Sequence, residues 1–536
     1  MAWRKPNKLE ALTISAFIGF LGGYIAILLY REDFIYYDYS ILLETTLSGL
    51  TKRPTIIPGS GRFYPLAFQE FNLLSIATNT ATGYHLYSIL QLIFIIILLI
   101  LLLRQFNVSA HLTLISIILI TPSFLVAFGG LIYPERNVVF WLLAFLVSYR
   151  EYARRPTWRW AISSILTAQF LMYYKETAFI LVCGISAPAI FIRAYDVSAR
   201  RIDLNKLRNP KCALDLMLFI LALIFLSYYL LIMLRTGLGH KYIEDAKLPL
   251  SEIIALYLKS DLLLPLLIVA VVGRAAFLIR TRQCPYLFWD GCAFAALLYM
   301  LAYFVLRLFS PYYMAPVDLI TLLYVSHWLI PAWPRLSRLE KLTISGVTAV
   351  VVIQILAFSN MKLVERKNLI SAQVDIANFL VSEYARNGSK SLHLFFPFSD
   401  TYSRQEFASY LRYRGLEPER EIQSEKQPFN IIISSPVDPR EDRRCLPWLN
   451  YVCRQQDEPR SGDLVVVLPD DGASFDQLRN LVGDKEPALQ VYPIPRSPGF
   501  FVALARLVRP LQPNLPFTGT VNISDAWLHA FVFRWP

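Results

Sequence analysis

The sequence predicts a polytopic α-helical membrane protein of about 11 transmembrane helices, followed by a C-terminal water-soluble α/β domain. Three observations predict it. Apolar blocks of ~20 residues, the length that crosses a bilayer, recur from Glu10 to Ser359. Charged residues are 17% of the 536, against ~25% in soluble domains, and mean hydropathy is +0.43; the deficit lies in that same half. The basic residues fall in alternate loops, which is the positive-inside pattern.

The first block, 10–30, follows the basic segment Met1–Lys8 and lacks a small-residue cleavage site. It therefore reads as a span and not as a cleaved signal peptide. Further spans are expected near 84–103, 112–132, 137–149, 160–174, 177–192, 212–234, 262–279, 286–306, 312–330 and 342–359. The expected inner segments carry Arg4, Lys5 and Lys8, then Arg104, then Arg150, Arg154, Arg155 and Arg159, then Arg193 to Lys211, then Arg280 and Arg282, then Arg335, Arg338 and Lys341. The outer loops mix signs, as in Arg31-Glu32-Asp33, Glu135-Arg136 and Lys175-Glu176. This parity expects a cytoplasmic N-terminus and an extracytoplasmic C-terminal domain, with a bacterial inner membrane as the location. The loops also account for the net charge of +12, so nucleic acid is not an expected partner.

Two outer segments are longer than a connector needs, and such loops are usually functional. The first, 31–84, holds the helix-compatible stretch Asp33–Gly49, a breaker stretch Pro54–Gly61 and the amphipathic stretch Pro65–Asn79. The second, Arg235–Asp261, carries His240 and a possible interfacial helix, Pro249–Leu258. The composition changes at residue 360, which divides a membrane domain (1–359) from an α/β domain (360–536). In the latter, helices are expected at Leu363–Ala385, Arg404–Tyr413 and Phe475–Val482. Strands are expected at Ser391–Phe396, Phe429–Ser434, Asp463–Leu468, Gln490–Pro493 and Phe500–Leu507. This domain has no phosphate-binding glycine loop and no nucleophile elbow. Its two cysteines, Cys445 and Cys453, are expected to form a local disulfide in an oxidising compartment.

Ionisable side chains gather at one depth, the expected outer surface. Asp33 follows the first span, Glu135 opens the fourth, Lys175 ends the fifth, Arg307 ends the ninth, and Tyr312 and Tyr313 open the tenth; Arg62 lies in the first outer loop. Acids and bases at the lip of an apolar bundle suit a ligand with a phosphate head and a greasy tail. Cations hold the phosphate, and a carboxylate accepts a proton from an acceptor hydroxyl. Taken singly, each of these residues reads as an interfacial anchor or a snorkelling side chain, and the tyrosine pairs as an aromatic belt. Within the bilayer Arg274, Asp215, Asp290 and Asp318 are costly to bury; the first three are expected to pair structurally.

The order of these features resembles the GT-C superfamily of polyprenyl-phosphate-sugar-dependent glycosyltransferases, among them the aminoarabinose transferases and the protein O-mannosyltransferases. The resemblance covers about residues 10–330. It rests on Arg31-Glu32-Asp33-Phe34-Ile35-Tyr36-Tyr37 after the first span, Gly61-Arg62-Phe63-Tyr64-Pro65-Leu66 in the first loop, Tyr133-Pro134-Glu135-Arg136, Tyr173-Tyr174-Lys175-Glu176, and Arg307 with Pro311-Tyr312-Tyr313-Met314-Ala315-Pro316. It implies Asp33 as the catalytic base and Lys175, Arg307 and Arg62 as the phosphate-binding cations. Glu32, Asp38, Glu135, Tyr312, Tyr313 and His240 are the further substrate-binding candidates. The sequence departs from the family where a lysine precedes the loop prolines; Tyr64 stands there, and Arg62 would supply the charge. The implied donor is a polyprenyl-phosphate-linked sugar. The implied acceptor is a glycan, lipid or protein hydroxyl, and membrane lipids are partners. No cofactor and no metal are expected, because the first loop has no Asp-x-Asp pair. Two other functions fit a polytopic chain. An O-antigen polymerase or ligase would concentrate Arg and His in a large late outer loop, and a transporter or flippase would repeat its halves; neither pattern is evident.

Overall fold

A computed structural model describes residues 7–30, 32–35, 40, 42–47, 56–57, 62–196, 201–202, 209–235, 249–283, 285–388, 391–399, 401–419, 429–436, 451–469, 475–483, 485–491 and 530–536. The helices of the apolar half are α1 (Lys8–Leu29), α2 (Gln69–Ala77), α3 (Ala81–Leu103), α4 (Val108–Leu119), α5 (Pro122–Gly129), α6 (Glu135–Arg154), α7 (Trp158–Tyr174), α8 (Phe179–Ala194), α9 (Pro210–Arg235), α10 (Leu250–Ser260), α11 (Leu263–Thr281), α12 (Leu287–Val305) and α13 (Ala315–Ala332). Then comes α14 (Arg338–Arg386). Among the described residues, eight helices are long and apolar enough to cross a membrane: α1, α3, α8 with the 3₁₀ turn before it, α9, α11, α12, α13 with its flanking turns, and α14. A ninth arises if α4 and α5 are counted as one span.

Local chemistry fixes the helix ends. Asn7 accepts from the Glu10 N–H at 2.8 Å while the Glu10 carboxylate accepts from the Asn7 N–H at 2.9 Å, a capping box that starts α1. Ser337 and Glu340 start α14 in the same way. The expected span 112–132 is not one straight helix. It bends by 64° between α4 and α5, because Pro122 has no N–H to continue the ladder and Thr121 caps a new helix instead. At Gly184 in α8 an added Cβ would lie 2.6 Å from the Ala295 Cα of α12, so these two helices meet backbone to backbone.

The composition boundary at 360 is not a structural break. Helix α14 has 49 residues, about 70 Å at the usual rise, and runs straight through it. No glycine or proline lies between Val347 and Arg386, so apolar turns give way to charged ones without a stop signal. The beginning of the expected tail helix Leu363–Ala385 is therefore the continuation of the last long apolar helix.

The C-terminal sheet has six strands: β5 (Leu392–Phe395), β6 (Ile431–Ser435), β7 (Cys453–Gln455), β8 (Leu464–Val467), β9 (Leu489–Val491) and β10 (Ala530–Arg534). Among the described residues, two two-residue pairings lie in the apolar half, β1 with β2 (Ile56–Ile57, Arg62–Phe63) and β3 with β4 (Tyr195–Asp196, Arg201–Ile202). The six-stranded order is β7-β6-β5-β8-β10-β9, with β5 parallel to β6 and β8, and β10 antiparallel to both its neighbours. Strands β7 and β10 were not expected; the first has three residues and the second lies far from the other tail signals. The expected strand Phe500–Leu507 and Cys445 fall outside the described residues. Alternation along β5 separates the two faces. Leu392 and Leu394 pack with Phe407 and Leu411 of α15 (Thr401–Tyr413) and with Ile376 and Leu380 of α14. Phe395 packs with Leu478 and Val482 of α16 (Phe475–Val482) on the other face. The first face shares its core with Phe34, Tyr64 and Tyr84, so sheet, α14 and the first loop close on one end of the bundle.

Inside the bundle Asp215, Arg274 and Asp290 are paired with opposite charges, and Asp318 is hydrogen-bonded. Arg193 donates to Asp215 at 2.6 Å, as does the Tyr149 hydroxyl. Arg274 lies 3.3 Å from Asp290 and 3.9 Å over the Trp328 ring, and Asp318 accepts from the Ser123 hydroxyl.

Candidate functional site

The chain leaves α1 in a non-helical segment in which Glu32 and Asp33 part company. Glu32 turns into the protein, where its side chain is 2% exposed. It accepts from Arg366 at 2.6 Å and from Lys367, and His85 Nε2 stands 3.2 Å away. Burial would raise its proton affinity, but Arg366, His85 and Lys367 together outweigh that and hold the carboxyl far below the usual carboxylate range. Lys367 also donates to the carbonyls of Leu28 and Tyr30, at 3.3 and 2.9 Å, and so closes the end of α1. Gly129 makes this possible: a Cβ there would lie 2.5 Å from Arg366 Nη1.

A group whose proton affinity is lowered by folding stabilises the fold when ionised. The contribution of Glu32 is therefore complete above the unfolded value of 4.5 and is lost as pH falls below it. Thermal melts across that acid range are expected to fall less steeply for Glu32→Gln than for the native chain, from a lower plateau at neutral pH.

Asp33 turns the other way. Its Oδ1 accepts from the Phe34 N–H at 2.7 Å and its Oδ2 from the Tyr410 hydroxyl at 2.6 Å, with Arg414 Nη1 3.5 Å away. Its side chain stays 24% exposed. Burial first, and the Asp33 charge second, push the Tyr410 phenol above its ordinary range, so Tyr410 remains a donor. Further along the first loop Ser40 donates through its N–H to Glu406 at 2.9 Å, and Glu44 accepts from Arg412 at 2.6 Å and from Tyr451. Helix α15 thus sits on the first loop through three acid-centred contacts.

A second cluster lies where three helices begin or end. Pro134 precedes α6 and puts Glu135 in its first turn, while α7 stops at Tyr174 and leaves Lys175 in extended backbone. Lys175 Nζ is 2.9 Å from Glu135, and the two side chains are 5% and 0% exposed. The same ammonium lies 4.9 Å from the Tyr313 ring centroid. Tyr313 stacks on Tyr303, and Tyr312 on Tyr133, with ring centroids 4.6 and 4.2 Å apart. Beside this pair the fully buried Arg136 donates to Ser88 at 2.6 Å, and Asn137 donates to Glu70 at 2.6 Å. The Leu66 N–H donates to the Tyr173 carbonyl at 3.1 Å, which ties the first loop to α7.

The two clusters are joined by the short α5–α6 link. Gly129 abuts Arg366, and a Cβ on Gly130 would lie 2.1 Å from the Tyr133 ring. Packing therefore runs without a break from Glu32 and Arg366, through Gly129, Gly130, Tyr133 and Tyr312, to Tyr313, Lys175 and Glu135.

Of the expected site residues, Lys175, Glu135, Tyr312 and Tyr313 come together. Glu32 and Asp33 occupy opposite sides of the loop. Arg307 is exposed, and no side-chain contact joins it to the cluster among the described residues. Asp38, His240 and the Arg62 side chain lie outside the described residues. Arg307 stands at φ 54° just past α12. Its N–H donates to the Phe304 carbonyl and the Leu308 N–H to that of Tyr303, the helix ending at which glycine is usual. Arg307→Gly is expected to leave folding stability unchanged or raise it by up to about 1 kcal/mol. Melting in detergent checks that directly. If the guanidinium meets a donor phosphate, the same variant raises the KM for donor.

Sequence reading missed His85, Glu44, Glu70 and Asn137, and above all the cations Arg366, Lys367, Arg412 and Arg414. The adjacent Arg366-Lys367, seven residues past the last apolar stretch, was the one local signal; its acidic partner is more than 300 positions away. Among the described residues no group of three or more His, Cys, Asp or Glu is arranged to hold a metal ion. No known protein-family model matches the sequence, and no curated protein sequence matches it.

Proposed function

We propose that the chain is a membrane glycosyltransferase of the GT-C kind, moving a sugar from a polyprenyl-phosphate donor to an acceptor hydroxyl at the extracytoplasmic face. One observation carries the reading. The partly exposed carboxylate Asp33 accepts from Tyr410, the buried cation Lys175 lies against Tyr313, and Tyr410 shares one apolar core with Tyr133 and Tyr312, the neighbours of Tyr313, at the end of the bundle that the α/β domain meets. Counting α6 and α7 as spans, although one is amphipathic and the other has 17 residues, gives the eleven that this orientation requires.

In this mechanism Asp33 takes the proton of the acceptor hydroxyl. The acceptor oxygen forms its bond to the anomeric carbon as the bond from that carbon to the phosphate oxygen breaks. Polyprenyl phosphate leaves with the electron pair, and Lys175, Arg307 and Arg62 stabilise its charge. Glu32 is the poorer base. It is buried, and both its oxygens are engaged by cations. Asp38, Glu135, Tyr312, Tyr313 and His240 remain the candidates for contacts to sugar or acceptor.

The test is a donor comparison with the purified protein. Polyprenyl-monophosphate sugar is expected to be consumed with a new glycoside formed. Consumption of only a pyrophosphate-linked oligosaccharide would make the chain a polymerase or ligase. Movement of the lipid across proteoliposomes without a covalent product would make it a transporter.

A further inference from the structure

Two acidic side chains that the proposed chemistry does not use meet inside the apolar half. Asp261 stands in the link between α10 and α11, and Asp318 in the first turn of α13. Their carboxyls are hydrogen-bonded to each other. An ionised carboxylate accepts and does not donate, so this contact needs a proton on one of the two. Asp318 is fully buried and Asp261 half-buried. Asp318 Oδ2 accepts from the Ser123 hydroxyl of α5, while Oδ1 is buried with no N–H or O–H donor beside it among the described residues. Asp261 Oδ1 accepts from the Leu263 N–H at 2.9 Å. The surroundings are neutral. From α10 comes Tyr257, whose hydroxyl donates to the Leu308 carbonyl at 2.7 Å. From α14 comes Gln354, which accepts from the Leu262 N–H and donates to the Ser260 carbonyl. Leu263 packs on Val351 and Ile355 of α14. Lys259, the cation nearest in sequence, is exposed, and among the described residues neither acid is in an ion pair.

We propose that Asp261 and Asp318 form a proton-binding site in the membrane half, with one proton held between the two carboxyls at neutral pH and exchanged with solvent through the half-buried Asp261. Three helices, α5, α11 and α13, start around the pair, and helix starts favour a negative charge. One charge is thus offset there, whereas two ionised carboxylates in contact repel each other with no cation between them. The shared proton leaves the pair with a single charge and ties the α10–α11 link to the start of α13. Two carboxyls and one hydroxyl are too few oxygens for a calcium ion, which takes about six to eight. The inference does not depend on the transferase reading; a chain with no transferase activity would hold the proton equally.

The experiment is infrared spectroscopy of the full chain in detergent at neutral pH, the native protein beside Asp318→Asn and Asp261→Asn. The native spectrum is expected to contain carboxylic-acid C=O absorption that shifts on exchange into heavy water. Each variant is expected to lose the intensity of one carboxyl group, because the asparagine amide donates to the remaining carboxylate in the proton's place. That substitution keeps the single charge of the pair, so both variants are expected to fold, and either one suffices if the other does not. Melting gives a second readout. A folded state that holds one proton more than the unfolded chain loses stability as pH rises. The native melting temperature is therefore expected to fall more steeply from about pH 6 to pH 9 than that of Asp318→Asn. Replacing sodium by N-methylglucamine is expected to leave native melting unchanged. Undiminished carboxylic-acid absorption in a folded variant, parallel melting profiles, or a sodium-dependent stabilisation that Asp318→Asn abolishes, which would make the occupant a metal cation, would each overturn the proposal.

Discussion

Asp33→Asn is expected to lower sugar transfer by roughly 10²–10⁴-fold and to leave the fold in place. Asparagine keeps the carbonyl oxygen that accepts from Tyr410 or from the Phe34 N–H, and the Arg414 guanidinium it leaves behind is partly solvated. The loss is therefore one of proton acceptance and not of structure. Melting temperature, recovery in the membrane fraction and donor KM should stay near native values while kcat falls. Glu32→Gln supplies the contrast. It removes the charge that Arg366 and Lys367 share in a buried site, so its main effect is on stability and on the seating of α14. Two adjacent acids thus separate into one that works on substrate and one that holds the end of α1, and a melt measured beside a rate distinguishes them.

Lys175→Ala is expected to cost about 3–5 kcal/mol of stability, because it strands the fully buried Glu135 without its cation. That loss would also abolish activity, so the single variant does not separate a structural lysine from a phosphate-binding one. The double variant Lys175→Met with Glu135→Gln does. Replacing both partners removes the stranded charge, and most of the stability is expected to return. If Lys175 also meets the donor phosphate, the double variant folds but its KM for polyprenyl-phosphate sugar stays raised. A double variant with native stability and native KM would reduce the pair to a structural bridge.

Much of the architecture was legible because the signals were local. Apolar blocks and basic loops marked the long helices, and short apolar runs marked β5, β6 and β8. Helix α16 appears over Phe475–Val482 as read. What was not legible depended on contacts between distant segments. The continuous α14 was divided at 360 because composition changes there, although no residue in it stops a helix. The bend between α4 and α5 was hidden because both halves are apolar, and only Pro122 marked it. In the candidate site, Lys175 and Glu135 were each picked out at a helix end, but 40 positions separate them and nothing in either motif said that they pair. Choosing between Glu32 and Asp33 by motif alone also left out what distinguishes them. That difference is made by Arg366, Lys367, Tyr410 and Arg414, all in the C-terminal third of the chain.

The most direct test of the proposed function is the appearance of a covalent glycoside when purified native protein is mixed with a polyprenyl-monophosphate sugar and a hydroxyl acceptor, followed side by side with Asp33→Asn. The expected result is stoichiometric release of polyprenyl phosphate and glycosylated acceptor by the native chain, and a rate at least ~10²-fold lower for the folded variant. Native rates from folded Asp33→Asn would contradict the role given to that carboxylate. No product from any polyprenyl-phosphate sugar, with lipid binding intact, would contradict the transferase reading itself.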